Sequence, residues 1–122
     1  MHKPWEKTCN KRFTGKIGED KIALYLNQKG YNILVRNFRY KKNEVDIIAD
    51  KDNTLIFVEV KRRKSSQFGC GFEAIDGRKR QNILKVARYF IEKNNLRNIN
   101  VRFDVASIDR GVIRYIEDAF QV

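Results

Sequence analysis

Apolar residues follow two different periods along this chain. Over residues 15–29 they return at helical spacing, with Ile17, Ile22, Ala23, Leu24 and Leu26 supplying an apolar side. Thr14 is placed to cap the start of this helix and Gly30 to stop it. Between Tyr31 and Lys61 the pattern changes to short dense runs, which are the mark of strands. The first strand is expected over Tyr31 to Tyr40, mixing apolar residues with Arg36, Asn37 and Arg39, and Lys41-Lys42-Asn43 is a basic turn. Two further runs, Glu44 to Asp50 and Thr54 to Lys61, flank Asp52-Asn53 and read as a hairpin. A second helix is predicted from Glu73 or Asp76 to Asn94, with Ile83, Val86, Ala87, Phe90 and Ile91 as its buried stripe. Strands over Val101–Ile108 and Gly111–Ile116 close the chain, and residues 117–122 form a short turn or dock Phe120. Helix, strands, helix, strands is the order of a mixed α/β domain, one sheet flanked by helices.

The hairpin is interrupted by charge. Asp46 stands in its first apolar run, and Glu59 and Lys61 stand in its second. An unpaired carboxylate buried in a small core costs several kcal/mol. Side chains alternate faces along a strand, so Glu59 and Lys61 project from one face. A turn through Asp52-Asn53 pairs 51 with 54 and 50 with 55, and on that register Asp46 comes opposite Glu59. Two facing carboxylates repel unless a cation or proton intervenes. A cross-strand salt bridge on a solvated face and a divalent metal held by oxygen ligands both answer that requirement, and spacing does not choose between them.

A third acid lies nearby in the pattern. Glu19 shares a face with Ile22, Ala23 and Leu26, so it points toward the core side of the first helix. It is either an acid favoured by the helix dipole or a third carboxylate approaching Asp46 and Glu59. Asp104, inside the fourth strand, reads as a structural or supporting acid.

Charge sharpens the choice of partner. The 122 residues carry 26 Lys plus Arg against 15 Asp plus Glu, a formal net charge of +11. This balance favours a polyanion, nucleic acid first. Arg62-Arg63-Lys64 continues directly from the hairpin, and Arg78, Gln81, Lys85, Arg88 and Glu92 recur at intervals of three and four as a mostly basic outer helix face. These cations, with Lys79 on the stripe side at the helix start, are the candidate phosphate contacts. No apolar run approaches the ~18–20 residues that span a bilayer, and no apolar leader segment is evident. A cytoplasmic protein without a membrane partner is expected. Cys9 and Cys70 match neither a zinc nor a redox spacing, and the only His, His2, lies in the N-terminal arm, so Cys–His catalysis is not expected. The loop Ser65 to Gly71 lacks the Gly-Lys-Ser/Thr ending of a phosphate-binding loop. Residues 1–14 form a basic arm, and residues 15–122 one domain.

The acid, the short gap and Glu59-Val60-Lys61 resemble the (Asp/Glu)-x-Lys signature of metal-dependent nucleases in the restriction-endonuclease-like superfamily. Glu19 resembles the extra helical acid of the Holliday-junction-resolvase branch. Over about residues 15–120 the chain further resembles the YraN family of small bacterial proteins. The likeness rests on Gly18-Glu19, Ala23, Tyr25-Leu26, Arg36-Asn37 and Glu44-Val45-Asp46-Ile47-Ile48-Ala49. Phe57-Val58-Glu59-Val60-Lys61-x-Arg63, Phe68-Gly69, Arg102-Phe103-Asp104-Val105 and Ala119-Phe120 complete it. The chain departs from that family in carrying Asn43 where Gly is usual. The resemblance implies a restriction-endonuclease-like α/β fold with a central mixed sheet. It also implies a Mg²⁺- or Mn²⁺-dependent endonuclease acting on DNA, with branched or structured DNA in view. The metal would be held by Asp46, Glu59, the carbonyl of Val60 and Glu19, and Lys61 would act on the attacking water. Branched DNA implies a homodimer with two sites. The alternative is a module of the same fold that grips DNA or RNA without cutting.

Overall fold

A computed structural model of the chain describes residues 11–63 and 77–121. The elements run α1 (Lys11–Gln28), β1 (Asn32–Tyr40), β2 (Asn43–Lys51), β3 (Thr54–Arg63), α2 (Gly77–Lys93), β4 (Asn100–Asp109) and β5 (Val112–Ile116). The five strands form one open mixed sheet in chain order, β1 to β5. All neighbours are antiparallel except β3 and β4, which are parallel and joined through α2. Among the described residues no helix is long and apolar enough to cross a membrane.

The hairpin turn is set by two adjacent residues in the left-handed region, Asp52 at φ 51° and Asn53 at φ 60°. Asp and Asn tolerate that conformation better than other side-chain-bearing residues, and two such residues in a row match the twist of the flanking strands. The observed pairs, Lys51 with Thr54 through Ile47 with Val58, follow the register expected from the sequence. Alternation along β3 then sends Leu55 and Phe57 to one core, and Ile56 and Val58 to the other.

Each helix covers one face. On the first face, Ile22 and Leu26 of α1 pack with Ile47, Ala49, Ile56, Val58, Ala106 and Ile108. On the second, Ile83, Val86, Ala87 and Phe90 of α2 pack with Val45, Ile48, Leu55, Phe57, Phe103 and Val105. Phe120 docks on the second core, stacked at 5.3 Å from Phe103, and the Ala119 N–H donates to the Phe103 carbonyl at 2.7 Å. Of the stripe predicted for α2, Ile83, Val86, Ala87 and Phe90 are buried and Ile91 is half-buried. The outer positions Arg78, Gln81, Lys85, Arg88 and Glu92 are all exposed.

Two expectations for α1 are corrected. The helix begins at Lys11, so Thr14 lies inside it rather than capping it. Ile17 and Leu24 are exposed, Leu24 at 58%. Leu24 is two residues from both Ile22 and Leu26, which puts it on the opposite side of a helix with 3.6 residues per turn. At the other end Gly30 stops the helix as expected. Its N–H donates to the Asn27 carbonyl, the Tyr31 N–H donates to the Leu26 carbonyl, and Gly30 adopts φ 92°. This double closure requires a residue free of a Cβ penalty. Gly30→Ala is therefore expected to lower stability by ~1 kcal/mol, read as a lower melting temperature by circular dichroism. An unchanged melting temperature would contradict the strain argument.

Candidate metal and phosphate site

The site forms where β2 and β3 stop pairing. The ladder ends at Ile47–Val58. One residue beyond it, the Asp46 carboxylate replaces the missing main-chain partner and accepts the Val60 N–H at 2.8 Å. Val60 meanwhile keeps its place beside Ala106 of β4. The side chain thus bridges the gap that opens between the two strands.

Glu59 precedes Val60 and is 6% exposed. Its position alternates with Val58 and Val60, so it faces the α2 layer. There Lys79, in the first turns of α2, reaches its carboxylate at 3.0 Å, and Lys61 approaches the same oxygen at 3.8 Å. Glu19 comes from the α1 layer and is also buried. The Asn37 amide donates to it at 2.8 Å, and Arg36 lies 3.8 Å from it while pairing with Asp20 at 2.6 Å. The three acids therefore approach one sheet opening from β2, β3 and α1.

Their mutual repulsion shows in Asp46. Its carboxyl is held well above the ordinary range, first by burial and then by the negative charges of Glu59 and, more weakly, Glu19. The Val60 N–H and Lys79 pull in the opposite direction without cancelling this. The site thus disfavours the ionised form of Asp46, and neither the Val60 N–H nor Lys79 offsets this. Among the described residues no three His, Cys, Asp or Glu side chains converge at metal-binding spacing.

Asn37 had no role assigned from the sequence. It stands in the middle of β1 at φ 54° and faces Asp46, because Arg36 pairs with Ile47 and Phe38 with Val45. A non-glycine residue at positive φ inside a strand is uncommon, and Asn is among the few that accept it. The kink lets Arg36 and Asn37 both serve α1, whereas Phe38 and Tyr40 serve the α2 core. An Asn in an apolar strand was the available signal.

Asp104 belongs to a separate cluster and is fully buried. It accepts a fork of two hydrogen bonds from Arg102 at 2.9 and 2.8 Å, one from the Tyr115 hydroxyl at 2.5 Å and one from the Asp118 N–H at 2.9 Å. Arg102 also donates to the Tyr31 hydroxyl at 2.9 Å. Burial, then the bond to Asp104, pushes the Tyr115 hydroxyl far up and keeps it protonated. This acid has a structural role, tying β4 to β5 and to the chain after β5.

Of the expected phosphate contacts, Arg78, Lys85 and Arg88 are exposed on α2 and Lys79 sits on Glu59. Arg62 and Arg63 are the last two residues of β3, their side chains outside the described residues. Lys64, both cysteines, Phe68-Gly69, the loop Ser65 to Gly71, and Glu73 and Asp76 also fall outside the described residues.

Comparison with known proteins places the chain. Residues 18–108 match the model of a family described as uncharacterised protein family UPF0102. That span contains Glu19, Asn37, Asp46, Glu59, Lys61 and Lys79. A UPF0102 protein of Sulfurihydrogenibium sp. is 45% identical over 108 residues, covering 88% of this chain and 94% of that one. One from Caldicellulosiruptor saccharolyticus is 44% identical over 117 residues, 91% of this chain and 99% of that one. One from Persephonella marina is 42% identical over 108 residues, 88% and 93%. With the match running from α1 to β4 and nearly the full length of these relatives covered, the chain belongs to the UPF0102 family, the YraN family that its motifs resemble.

Proposed function

We propose that the protein is a divalent-metal-dependent phosphodiesterase acting on nucleic acid, DNA in the first place, on a restriction-endonuclease-like fold. The observation that carries this reading is the raised carboxyl of Asp46 beside the buried Glu59, at an opening in the sheet that Lys61 and Lys79 also reach. A pure binder gains nothing from buried carboxylates turned toward phosphates. A strand acid, a tight turn and Glu-x-Lys on the next strand, with a helix on each face, support the fold assignment.

The donor set fits Mg²⁺ or Mn²⁺. Two carboxylates with water completing the shell is the usual arrangement for a small hard cation, and such a cation would favour the ionised form of Asp46 that burial and Glu59 disfavour. Asp46 and Glu59 would hold the ion with the carbonyl of Val60, and Glu19 would bond through water. When bound, such an ion activates water and screens phosphate charge. Glu59 alternates with Lys61 on one strand face, so Lys61 can orient the attacking water and neutralise charge on the phosphoryl oxygens. Asp46 keeps its orientation through the Val60 N–H. The exposed cations Arg78, Lys85 and Arg88 would hold the backbone without reading sequence.

Cleavage of linear, flapped and four-way-junction DNA and of RNA, with Mg²⁺, Mn²⁺ or EDTA, tests the proposal. Metal-dependent cutting is expected, reduced at least ~10²–10³-fold by Glu59→Ala and by Lys61→Ala. Cutting that survives both substitutions would remove the site. Strong, salt-sensitive binding with no metal-dependent cutting of any substrate would leave a binding module instead.

A further inference from the structure

A second surface lies on the α2 side of the β1–β2 hairpin. Tyr40, the last residue of β1, stacks on Tyr89 of α2 with ring centroids 4.2 Å apart and planes 17° from parallel. Both rings are partly exposed. Both rings join the edge of the α2 core: Tyr40 packs against it, Phe38 stacks 6.1 Å from Tyr89 and meets Phe90 edge-to-face at 5.2 Å, and Phe90 meets Phe57 the same way at 6.1 Å. Cations border the outer pair. Lys41 lies over the Tyr40 ring at 5.3 Å and Lys93 over the Tyr89 ring at 5.7 Å. Lys85 and Lys93 are exposed one helical turn before and after Tyr89, so the ring sits in a row of positive charge along α2.

We propose that Tyr40 and Tyr89, with Lys41, Lys85 and Lys93, form a stacking platform for an unpaired nucleotide of a single-stranded or branched nucleic acid. Three observations agree on that ligand. Partly exposed stacked aromatics offer a flat surface that any base can use, and stacking is how single strands are held without sequence preference. The lysines supply the charge that a phosphodiester backbone needs, on a chain of net +11. The ammonium groups of Lys41 and Lys93 lie over the rings on flexible stems, so they can yield their place to a base and turn to the flanking phosphates.

Position gives the platform a purpose. Tyr40 is three residues along β1 from Asn37, which faces Asp46, a distance of ~10 Å on a strand. Tyr89 is ten residues along α2 from Lys79, which contacts Glu59, or ~15 Å on a helix. These spans equal roughly three to five stacked nucleotides at ~3.4 Å each. A base held there leaves a phosphate a few nucleotides away at the acids, so the substrate class would be nucleic acid with an unpaired stretch beside the cut. That last step rests on the phosphodiesterase reading; the platform does not.

Binding in EDTA separates the two. Fluorescence anisotropy with labelled oligo-dT, oligo-U and a duplex of equal length should show preference for the single strands. Tyr89→Leu and Tyr40→Val should each weaken single-strand binding ~5- to 100-fold while leaving its salt dependence unchanged, and Tyr89→Phe should retain it. Lys85→Gln and Lys93→Gln should each lower the slope of log affinity against log salt by ~0.7. Photo-cross-linking of 5-iodouridine-substituted oligonucleotide to the unaltered protein should map to Tyr40 or Tyr89, which decides the matter even where a substitution disturbs folding. Cross-links found only elsewhere would overturn the platform, as would folded Tyr89→Leu protein with undiminished affinity. Loss of binding to anionic phospholipid vesicles in that variant, with oligonucleotide binding intact, would also overturn it. Single-strand binding through these tyrosines by a protein that cuts nothing would uphold the platform and remove the phosphodiesterase.

Discussion

Asp104→Ala is expected to be the most destabilising single change outside the apolar cores, at ~3–5 kcal/mol. The carboxylate is fully buried and accepts four hydrogen bonds, two of them from one guanidinium. Its removal leaves the Tyr115 hydroxyl and the Asp118 N–H without their acceptor, and the Arg102 charge with only Tyr31 and Glu117 near it. Such a loss is a large fraction of the ~5–15 kcal/mol that holds a domain together. Thermal denaturation followed by circular dichroism should show a fall on the order of 10–20 °C. Asp104→Asn keeps the shape and one acceptor oxygen and should lose less. A fall under ~3 °C for the alanine variant would show that the cluster does not hold β4 and β5 together.

Asp46→Asn should do the reverse and stabilise the fold, and under the proposed phosphodiesterase function it should also abolish cutting. Burial, then Glu59 and Glu19, raises the Asp46 carboxyl above its unfolded-state value. A carboxyl shifted upward contributes stability that is fully present below the unfolded value, ~3.9 for Asp, and lost as pH rises through the folded one. At neutral pH the ionised group therefore costs stability, and an amide that cannot ionise removes the cost. The asparagine oxygen can still accept the Val60 N–H, so the strand opening keeps its shape. The expected gain is on the order of 1 kcal/mol at pH 7, read as a higher melting temperature, and it should vanish as the pH approaches 4. Mg²⁺ or Mn²⁺ should raise the melting temperature of the unaltered protein more than that of the variant. A lower melting temperature for Asp46→Asn at pH 7 would mean that the ionised carboxylate is structural, and would count against a metal there.

These two acids differ in how far the sequence disclosed them. Asp46 was legible because its setting is local. The Asp52-Asn53 turn fixes a two-residue loop, the loop fixes the register as far as Ile47–Val58, and Asp46 and Glu59 follow one residue beyond, where the ladder has ended. The stripe and outer face of α2 were legible for the same reason, since a period of 3.6 needs no knowledge of distant residues. The partners of Asp104 were not. Tyr115 and Asp118 are reached by a second turn, and the Arg102–Tyr31 contact joins residues 71 positions apart. Asn37 was hidden differently. Propensity reads the stretch as a strand, which it is, but no periodic pattern reveals one residue turned to positive φ so that two neighbours serve the same helix. The start of α1 was missed because Gly15, a poor helix residue, lies inside it, and neighbouring turns carry it.

The sheet joins its strands by two kinds of connection, and they differ in how a change of length is felt. β3 and β4 pair across an offset of 46 residues. Doubling a closed segment adds only ~0.6 kcal/mol of closure entropy, so residues can be gained or lost between β3 and α2 with little effect on the fold. The turn at Asp52-Asn53 has no such slack. One residue inserted there, with the two-residue turn kept, would slip the register by one and turn every side chain of β2 to the opposite face relative to β3. Insertions and deletions are thus tolerable on one side of Glu59 and prohibited on the other, and the spacing from Asp46 to Glu59 is the fixed length of this chain.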